Sequence, residues 1–386
     1  MATSHSPCAL FRDDPAGRDV LFAEPSEILA PDEPGAFFAA LEAAEAAHRA
    51  GKWLAGYFSY EAGYLMEPKL RPLLPQGRCV PLICLGVFDS PSEGQADNVF
   101  SAPAGTNAFL AEPRATWSYG HYAARFERLH RHLREGDCYQ ANLAFPVKAR
   151  WSGDPLSIFN QMTARQPVKY GAFIDLAGPV VLSRSPELFF RIGAGHWIET
   201  LPMKGTAPRG KTPEQDRALK RFLQNDPKNQ AENRMIVDLL RNDISLISEV
   251  GTIDVPELFR VDSYPTVHQM VSRVRARLRP GLTIADIFGA LFPCGSVTGA
   301  PKIRAMEILH DLEDRPRDVY CGAIGWIAPS GRMRFNVAIR TVTLYQDGDA
   351  TFNVGGGIVF DSTAEEEYAE CLLKGRFATG QPPAAN

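Results

Sequence analysis

The chain has 386 residues, a formal net charge of −4, 45% apolar residues and 22% charged residues, the proportions of an ordinary globular protein with about two or three domains. Its mild acidity argues against a general nucleic-acid binder, which would present a basic face, and no run of about 18 apolar residues suggests a membrane span. The start, Met1 to Ser6, lacks the basic and apolar segments of a secretory signal, and the scattered, odd-numbered cysteines with no C-x-x-C fit reduced cytoplasmic thiols rather than disulfides or a zinc site.

No internal repeat is evident. In chain order, Pro34 to Gly51 is alanine-rich and amphipathic, which predicts a helix ended by glycine. Trp53 to Tyr60 and Val80 to Phe88 are predicted strands. Ser90 to Pro113 is rich in Ser, Gly, Ala, Pro and Asn. It marks a connecting loop between an N-terminal part, 1–113, and a second part, 117–375. His121 to Glu135 is a predicted helix stopped by Gly136. Tyr139 to Ala149 and Val180 to Ile192 are predicted strands. Thr212 is an N-cap candidate, with Pro213 at the first helical position and Gln215 at capping-box spacing. Helix should continue from Pro213 to Val250, interrupted near Asp226-Pro227, because an interior proline removes a hydrogen bond and clashes with the preceding turn. Met333 to Tyr345 and Ala350 to Phe360 are predicted strands joined by the hairpin signal Asp347-Gly348. A last helix should start at Ser362, with Glu365 at capping-box spacing. The Pro- and Ala-rich end of the chain, within 376–386, is expected to be disordered. Strands and helices do not alternate strictly, so the fold class is α+β rather than a doubly wound sheet.

In the last helix Glu367, Glu370 and Lys374 fall on one face. Glu365, Glu366 and Glu367 sit at its start, where the dipole favours anions. Taken alone, this is a solvated charged face. Just before it, the triplet Gly355-Gly356-Gly357 would let backbone N–H groups approach an anion closely. Taken alone, a bulge or tight bend is the simpler reading.

The wording and order of several stretches are more specific. Ser185-Pro186-Glu187-Leu188, Ala231 to Asp243, Phe292-Pro293-Cys294-Gly295-Ser296-Val297-Thr298-Gly299-Ala300-Pro301-Lys302, Tyr320 to Gly325 and Asn336 to Thr341 all resemble signatures of the chorismate-utilising enzymes. With the glycine triplet and terminal helix they cover about residues 117 to 375. The resemblance implies one unit with an anthranilate synthase component I-like fold: two stacked, antiparallel-rich sheets flanked by helices. It implies Mg²⁺ held by Glu232 and Glu370, with Glu367 on a metal-bound water. Two carboxylates suit an ion that keeps waters and takes substrate oxygens. Arg340 and Tyr320 match the residues that hold the enolpyruvyl carboxylate of chorismate. Arginine offers a planar fork for that task. Lys374 and the amides of Gly355, Gly356 and Gly357 would line the ring carboxylate. Thr206 and Thr298 are further substrate-binding candidates. Glu187 matches an acid/base glutamate near the 4-hydroxyl, and His268 matches a site histidine.

Two positions separate members of the family. Where isochorismate and salicylate synthases carry a lysine base, this chain has Gln140, which cannot activate water; ammonia becomes the expected nucleophile. Before the Gly-Thr pair most members have a small residue. This chain has Lys204 in Pro202-Met203-Lys204-Gly205-Thr206, and aminodeoxychorismate synthases typically read Pro-Ile-Lys-Gly-Thr. A lysine of depressed pKa is a nucleophile, so Lys204 either attacks the ring or contributes positive charge beside the departing hydroxyl. Anthranilate synthase component I is the enzymatic rival, and a non-catalytic chorismate-binding homologue the alternative from another class. Ammonia would come from a glutamine amidotransferase on a separate chain, since no Gly-x-Cys-x-Gly elbow occurs here. A Leu-Leu-Glu-Ser-like inhibitor motif is absent, so tryptophan feedback is not expected.

Overall fold

Alternating apolar strands build two ten-stranded sheets in which every paired neighbour is antiparallel. The computed structural model describes residues 6–31, 33–93, 108–264 and 267–386. Residues 94–107 of the expected connecting loop, most of the N-terminal stretch 1–6, and 265–266 lie outside the described residues.

The first sheet runs from Gly299–Ala300 through the long strand Gln140–Ser152, then Asp349–Ile358, Thr341–Leu344, Val180–Ser185, Tyr170–Asp175, Cys8–Asp13 and Arg18–Ala23 to Ser92–Glu93. Phe109–Ala115 pairs with the long strand from outside this path. The second sheet runs from Met203–Pro208 through Val267–Arg277, Trp197–Thr200, Leu188–Ile192, Met333–Val337, Ala323–Ile327, Trp53–Phe58 and Ile83–Phe88 to Glu27–Leu29, with Asp254–Ser263 also on Val267–Arg277. Strands from before and after residue 113 therefore share each sheet.

At one end the sheets face each other directly. Ala9, Phe22, Ala172, Ile174 and Val181 from the first sheet pack with Ala55, Tyr57, Cys84, Phe88 and Ile324 from the second. Helices cover the outer faces. The helix Tyr119–Glu135 is capped by Ser118, whose side chain accepts from the His121 amide, and is ended by Gly136 at φ 80°. It buries Tyr122, Phe126, Leu129 and Leu133, a stripe at helical spacing. On the second sheet, Phe288 of the helix Ile284–Leu291 stacks on Phe58 at 4.0 Å. Fully burying such a side chain contributes roughly 1.5–3 kcal/mol.

Two predicted strands are each cut in half. Val180 to Ile192 divides into Val180–Ser185 in the first sheet and Leu188–Ile192 in the second; Met333 to Tyr345 divides into Met333–Val337 in the second and Thr341–Leu344 in the first. At one crossing Pro186 removes a ladder donor and restricts Ser185. At the other, Arg340 turns the chain at φ 52°. The crossings bind one another: the Ser185 hydroxyl donates to the Val337 carbonyl at 2.6 Å, the Val337 amide to the Glu187 carbonyl at 3.1 Å, and the Arg184 amide to the Arg340 carbonyl at 2.9 Å.

The helix expected from Pro213 to Val250 is two helices, Pro213–Asn225 and Pro227–Ser245, and Asp226 caps the second by accepting from the Asn229 amide. The terminal helix is Ala364–Lys374, capped by Thr363 with Glu366, one residue later than the Ser362 and Glu365 expected. The end of the chain is ordered, contrary to expectation. Arg376–Thr379 is a short helix, and Ala384 pairs with the exposed edge at Arg114: its amide donates to the Pro113 carbonyl at 2.8 Å and its carbonyl accepts from Ala115 at 2.9 Å. Unpaired strand groups are satisfied there by a segment whose composition alone gives no pairing signal. No helix among the described residues is long and apolar enough to cross a membrane.

Candidate active site

At the end opposite the aromatic packing, the two sheets part around a cavity of about 840 Å³. Asn142, Asn353, Val354, Gly355 and Gly357 line it from the first sheet, and Met203, Lys204, Gly205, Thr206 and Gln269 from the second. Glu187 and Arg340 enter at the sheet crossings, Ser296, Val297 and Tyr320 from connecting turns, Asn229 and Glu232 from the helix Pro227–Ser245, and Glu367, Glu370 and Lys374 from the terminal helix.

Lys204 is delivered by an irregularity. The pairing of Met203–Pro208 with Val267–Arg277 slips between Met203 and Thr206, and a bulge re-aims side chains. Gly205 within it has φ 91°, and a Cβ there would come within 2.6 Å of Asn229 Oδ1, so only glycine fits. Burial, then the Lys374 ammonium, pull the Lys204 pKa below its ordinary value; Glu232, Glu187 and Glu370 partly oppose this. The shift favours the neutral amine, the form a nucleophile requires.

Glu187 is 7% exposed. Its Oε1 accepts from the Ser296 hydroxyl at 2.7 Å. Burial pushes the carboxyl up to about 7, against the pull of Ser296, Lys204 and Arg340. Burial lowers the Arg340 pKa, and Glu187 opposes it. Tyr320 is held well above its ordinary range, chiefly by burial, and so keeps its proton.

Lys374 donates to the Gly355 carbonyl at 2.9 Å and pairs with Glu370 at 2.7 Å. Burial raises the Glu370 carboxyl, but Lys374 and Lys204 more than offset it and the net shift is downward. Glu367 accepts from the Ser362 hydroxyl at 2.7 Å; burial leaves its carboxyl raised. The glycine triplet lets all this close. A Cβ on Gly356 would lie 2.7 Å from Glu367 Oε2, and one on Gly357 would lie 2.8 Å from Gln140 Nε2 and 3.1 Å from Lys204 Nζ. Gln140 is buried beside Lys204, and neither its Oε1 nor its Nε2 finds a partner among the described residues.

Three expected residues do not line the cavity. His268 is fully buried on the other face of its strand, with Ser263 Oγ at 2.9 Å and Asp216 Oδ1 at 3.0 Å. Strand side chains alternate, so its neighbour Gln269 faces the site, accepting from Thr206 Oγ1 at 3.0 Å and donating to the Gly205 carbonyl at 2.9 Å. Thr298 is also fully buried. Its hydroxyl contacts the carbonyls of Cys294, at 3.1 Å, and Gly295, at 3.3 Å, so it shapes the turn that presents Ser296. Gly356 faces the terminal helix. Ser296, Gln269, Asn142, Asn229 and Asn353 were not singled out from the sequence, although strand parity with Thr206 would have found Gln269.

Glu232, Glu367 and Glu370 are hard oxygen donors on one cavity, which suits Mg²⁺. Among the described residues they do not gather within 4.8 Å of one another. That spread fits an ion held by one or two carboxylates together with water and substrate rather than by a closed protein cage.

The sequence pattern described as chorismate binding enzyme matches residues 7–380. The aminodeoxychorismate synthase component 1 of Klebsiella aerogenes is 46% identical over 261 residues, 68% of this chain and 57% of that protein. The anthranilate synthase component 1 1 of Haloarcula marismortui is 40% identical over 255 residues, 66% of this chain and 52% of that protein. The chain spans little more than half the length of these curated relatives. The crystal structure of anthranilate synthase component I from Streptococcus pneumoniae TIGR4 superimposes with a TM-score of 0.78 at 26% identity, covering 97% of this chain and 91% of that one. Fold, motif order and cavity agree with these comparisons, and the chain belongs to the chorismate binding enzyme family.

Proposed function

We propose that this chain is an aminodeoxychorismate synthase component I, a cytoplasmic enzyme that converts chorismate and ammonia to 4-amino-4-deoxychorismate for 4-aminobenzoate and folate synthesis. A separate glutamine amidotransferase subunit supplies the ammonia. The observation that carries the reading is Lys204, set by a strand bulge into the same cavity as Glu187, with its pKa lowered.

In this reading Arg340 and Tyr320 hold the enolpyruvyl carboxylate, and Lys374 with the amides of Gly355 and Gly357 holds the ring carboxylate. The neutral Lys204 amine attacks C2 of the ring. Both ring double bonds shift, to C1=C6 and C4=C5, and the 4-hydroxyl departs, taking the proton of Glu187 and leaving as water. Ammonia then adds at C4 and displaces Lys204, and its surplus proton restores Glu187. The enolpyruvyl group stays in place. Mg²⁺ held by Glu232 and Glu370 would supply Lewis-acid polarisation of the ring carboxylate.

The similarity to the Haloarcula marismortui protein favours a second reading, anthranilate synthesis. Product identity separates them. The purified chain is given chorismate, Mg²⁺ and ammonium at alkaline pH, with and without an aminodeoxychorismate lyase. The proposal predicts 4-aminobenzoate only with the lyase, and no anthranilate. Anthranilate and pyruvate without the lyase would move the assignment to the rival. No turnover, with or without an amidotransferase, would point to a non-catalytic homologue.

A further inference from the structure

Behind Glu187 lies a short chain of polar side chains. The Ser296 hydroxyl is 2.7 Å from Glu187 Oε1, and Cys294 Sγ is 3.2 Å from Ser296 Oγ. All three residues are buried. Serine has one hydroxyl proton. Donated to the carboxyl, it leaves Ser296 Oγ as the acceptor towards Cys294, so the thiol must donate. Burial holds that thiol protonated, with its pKa pushed up to about 12. Thr298 fixes the turn by its contacts with the carbonyls of Cys294 and Gly295. On the other side, Glu187 Oε2 has no hydrogen-bond partner among the described residues, and Glu187 lines the cavity.

We infer that Ser296, backed by the Cys294 thiol, is the positioning residue that places the transferable proton of Glu187 on Oε2, towards the departing hydroxyl. Oε1 is already an acceptor, so a proton there would have to displace the Ser296 donor. When Glu187 gives its proton to the leaving oxygen, which departs as water, the new carboxylate already has a donor on Oε1. No reorganisation is needed at that moment, which is where a preorganised donor is most effective. The other groups that bear on Glu187 are Arg340 and, when protonated, Lys204, which favour its ionised form, and the thiols of Cys294 and Cys321, both kept neutral by burial. Ser296 is the group that acts on one particular oxygen.

The proposal rests on the assignment of Glu187 as proton donor, and its test has a readout independent of turnover. The Glu187 carboxyl band is followed by infrared difference spectroscopy of the full chain across pH, with Glu187→Gln as the subtraction reference. Ser296→Ala should move the titration upward by about one pH unit, because a donor to the charged form is lost. Ser296→Thr, which keeps the hydroxyl, should restore it. Cys294→Ala removes only the donor behind Ser296 and should shift it the same way by less; if Ser296→Ala does not fold, this variant decides. An unmoved titration overturns the inference. Turnover at fixed free ammonia is measured alongside. A shifted titration with an unshifted alkaline limb of turnover upholds the role of Ser296 and instead removes Glu187 as the acid.

Discussion

The cavity has two walls that treat the same side chain in opposite ways. On the inner wall Glu187 is buried with the Ser296 hydroxyl, the Lys204 amine and the Arg340 guanidinium, and burial dominates, holding its carboxyl near 7. On the outer wall the terminal helix carries Glu367 and Glu370 less than a turn apart. Lys374 and Lys204 bring Glu370 below its ordinary value, while on Glu367 burial and the charge of Glu370 outweigh the same two lysines and hold it above its ordinary value. Environment rather than residue type sets the proton count. The inner wall suits proton transfer, and the outer wall suits holding a cation. Lys204 lies between them and loses affinity for its proton to burial and to Lys374.

The two walls respond differently to substitution. Lys204→Met removes the proposed nucleophile and should lower kcat by on the order of 10⁴-fold or more, with circular dichroism unchanged. Glu187→Gln should lower kcat by roughly 10²–10⁴-fold, the usual contribution of a general acid. It should also change stability with a definite sign. The folded carboxyl titrates near 7 against an ordinary 4.5, so its favourable term is fully present below 4.5 and lost as pH rises through 7. The glutamine variant should match the parent at pH 4 and exceed it above pH 7 by up to about 3 kcal/mol in denaturant titrations. On the outer wall, Glu232→Gln or Glu370→Gln should weaken Mg²⁺ binding in calorimetry by at least about 10–100-fold, the loss typical when even an outer-shell partner of a metal ligand is removed. The Glu187 titration should be unmoved. Smallest for catalysis is His268→Gln. It faces Asp216 and Ser263 rather than the cavity, so kcat should hold within about twofold while stability falls by about 1–3 kcal/mol.

The regular parts of the molecule were legible in the sequence. The hairpin at Asp347-Gly348, the helix stop at Gly136 and the break at Asp226-Pro227 follow from local chemistry and appear where expected. The active-site motifs were found by resemblance, because a triplet of glycines or a glutamate face has a bland local explanation. What was not legible is where a strand leaves its sheet. Val180 to Ile192 reads as one strand-like run with polar residues scattered through it, and nothing in its periodicity shows that Ser185 and Leu188 belong to different sheets. Yet that crossing exposes Glu187, and the matching one exposes Arg340. The resemblance placed His268 in the site, but a one-residue step on a strand reverses the face, and His268 points away from the cavity while Gln269 points into it. The ordered end at Ala384 depends on an edge some 270 positions earlier, a long-range pairing that composition does not encode.

The most direct test of the account is the covalent state of Lys204. The full chain is incubated with chorismate and Mg²⁺ without ammonia, reduced to trap labile species, and digested for mass spectrometry. The account predicts an adduct of chorismate less water on the peptide containing Lys204, absent in Lys204→Met and discharged by added ammonium. Steady production of the 4-amino product with no adduct on Lys204 at any time would contradict it and leave Lys204 only as a charge beside the departing hydroxyl.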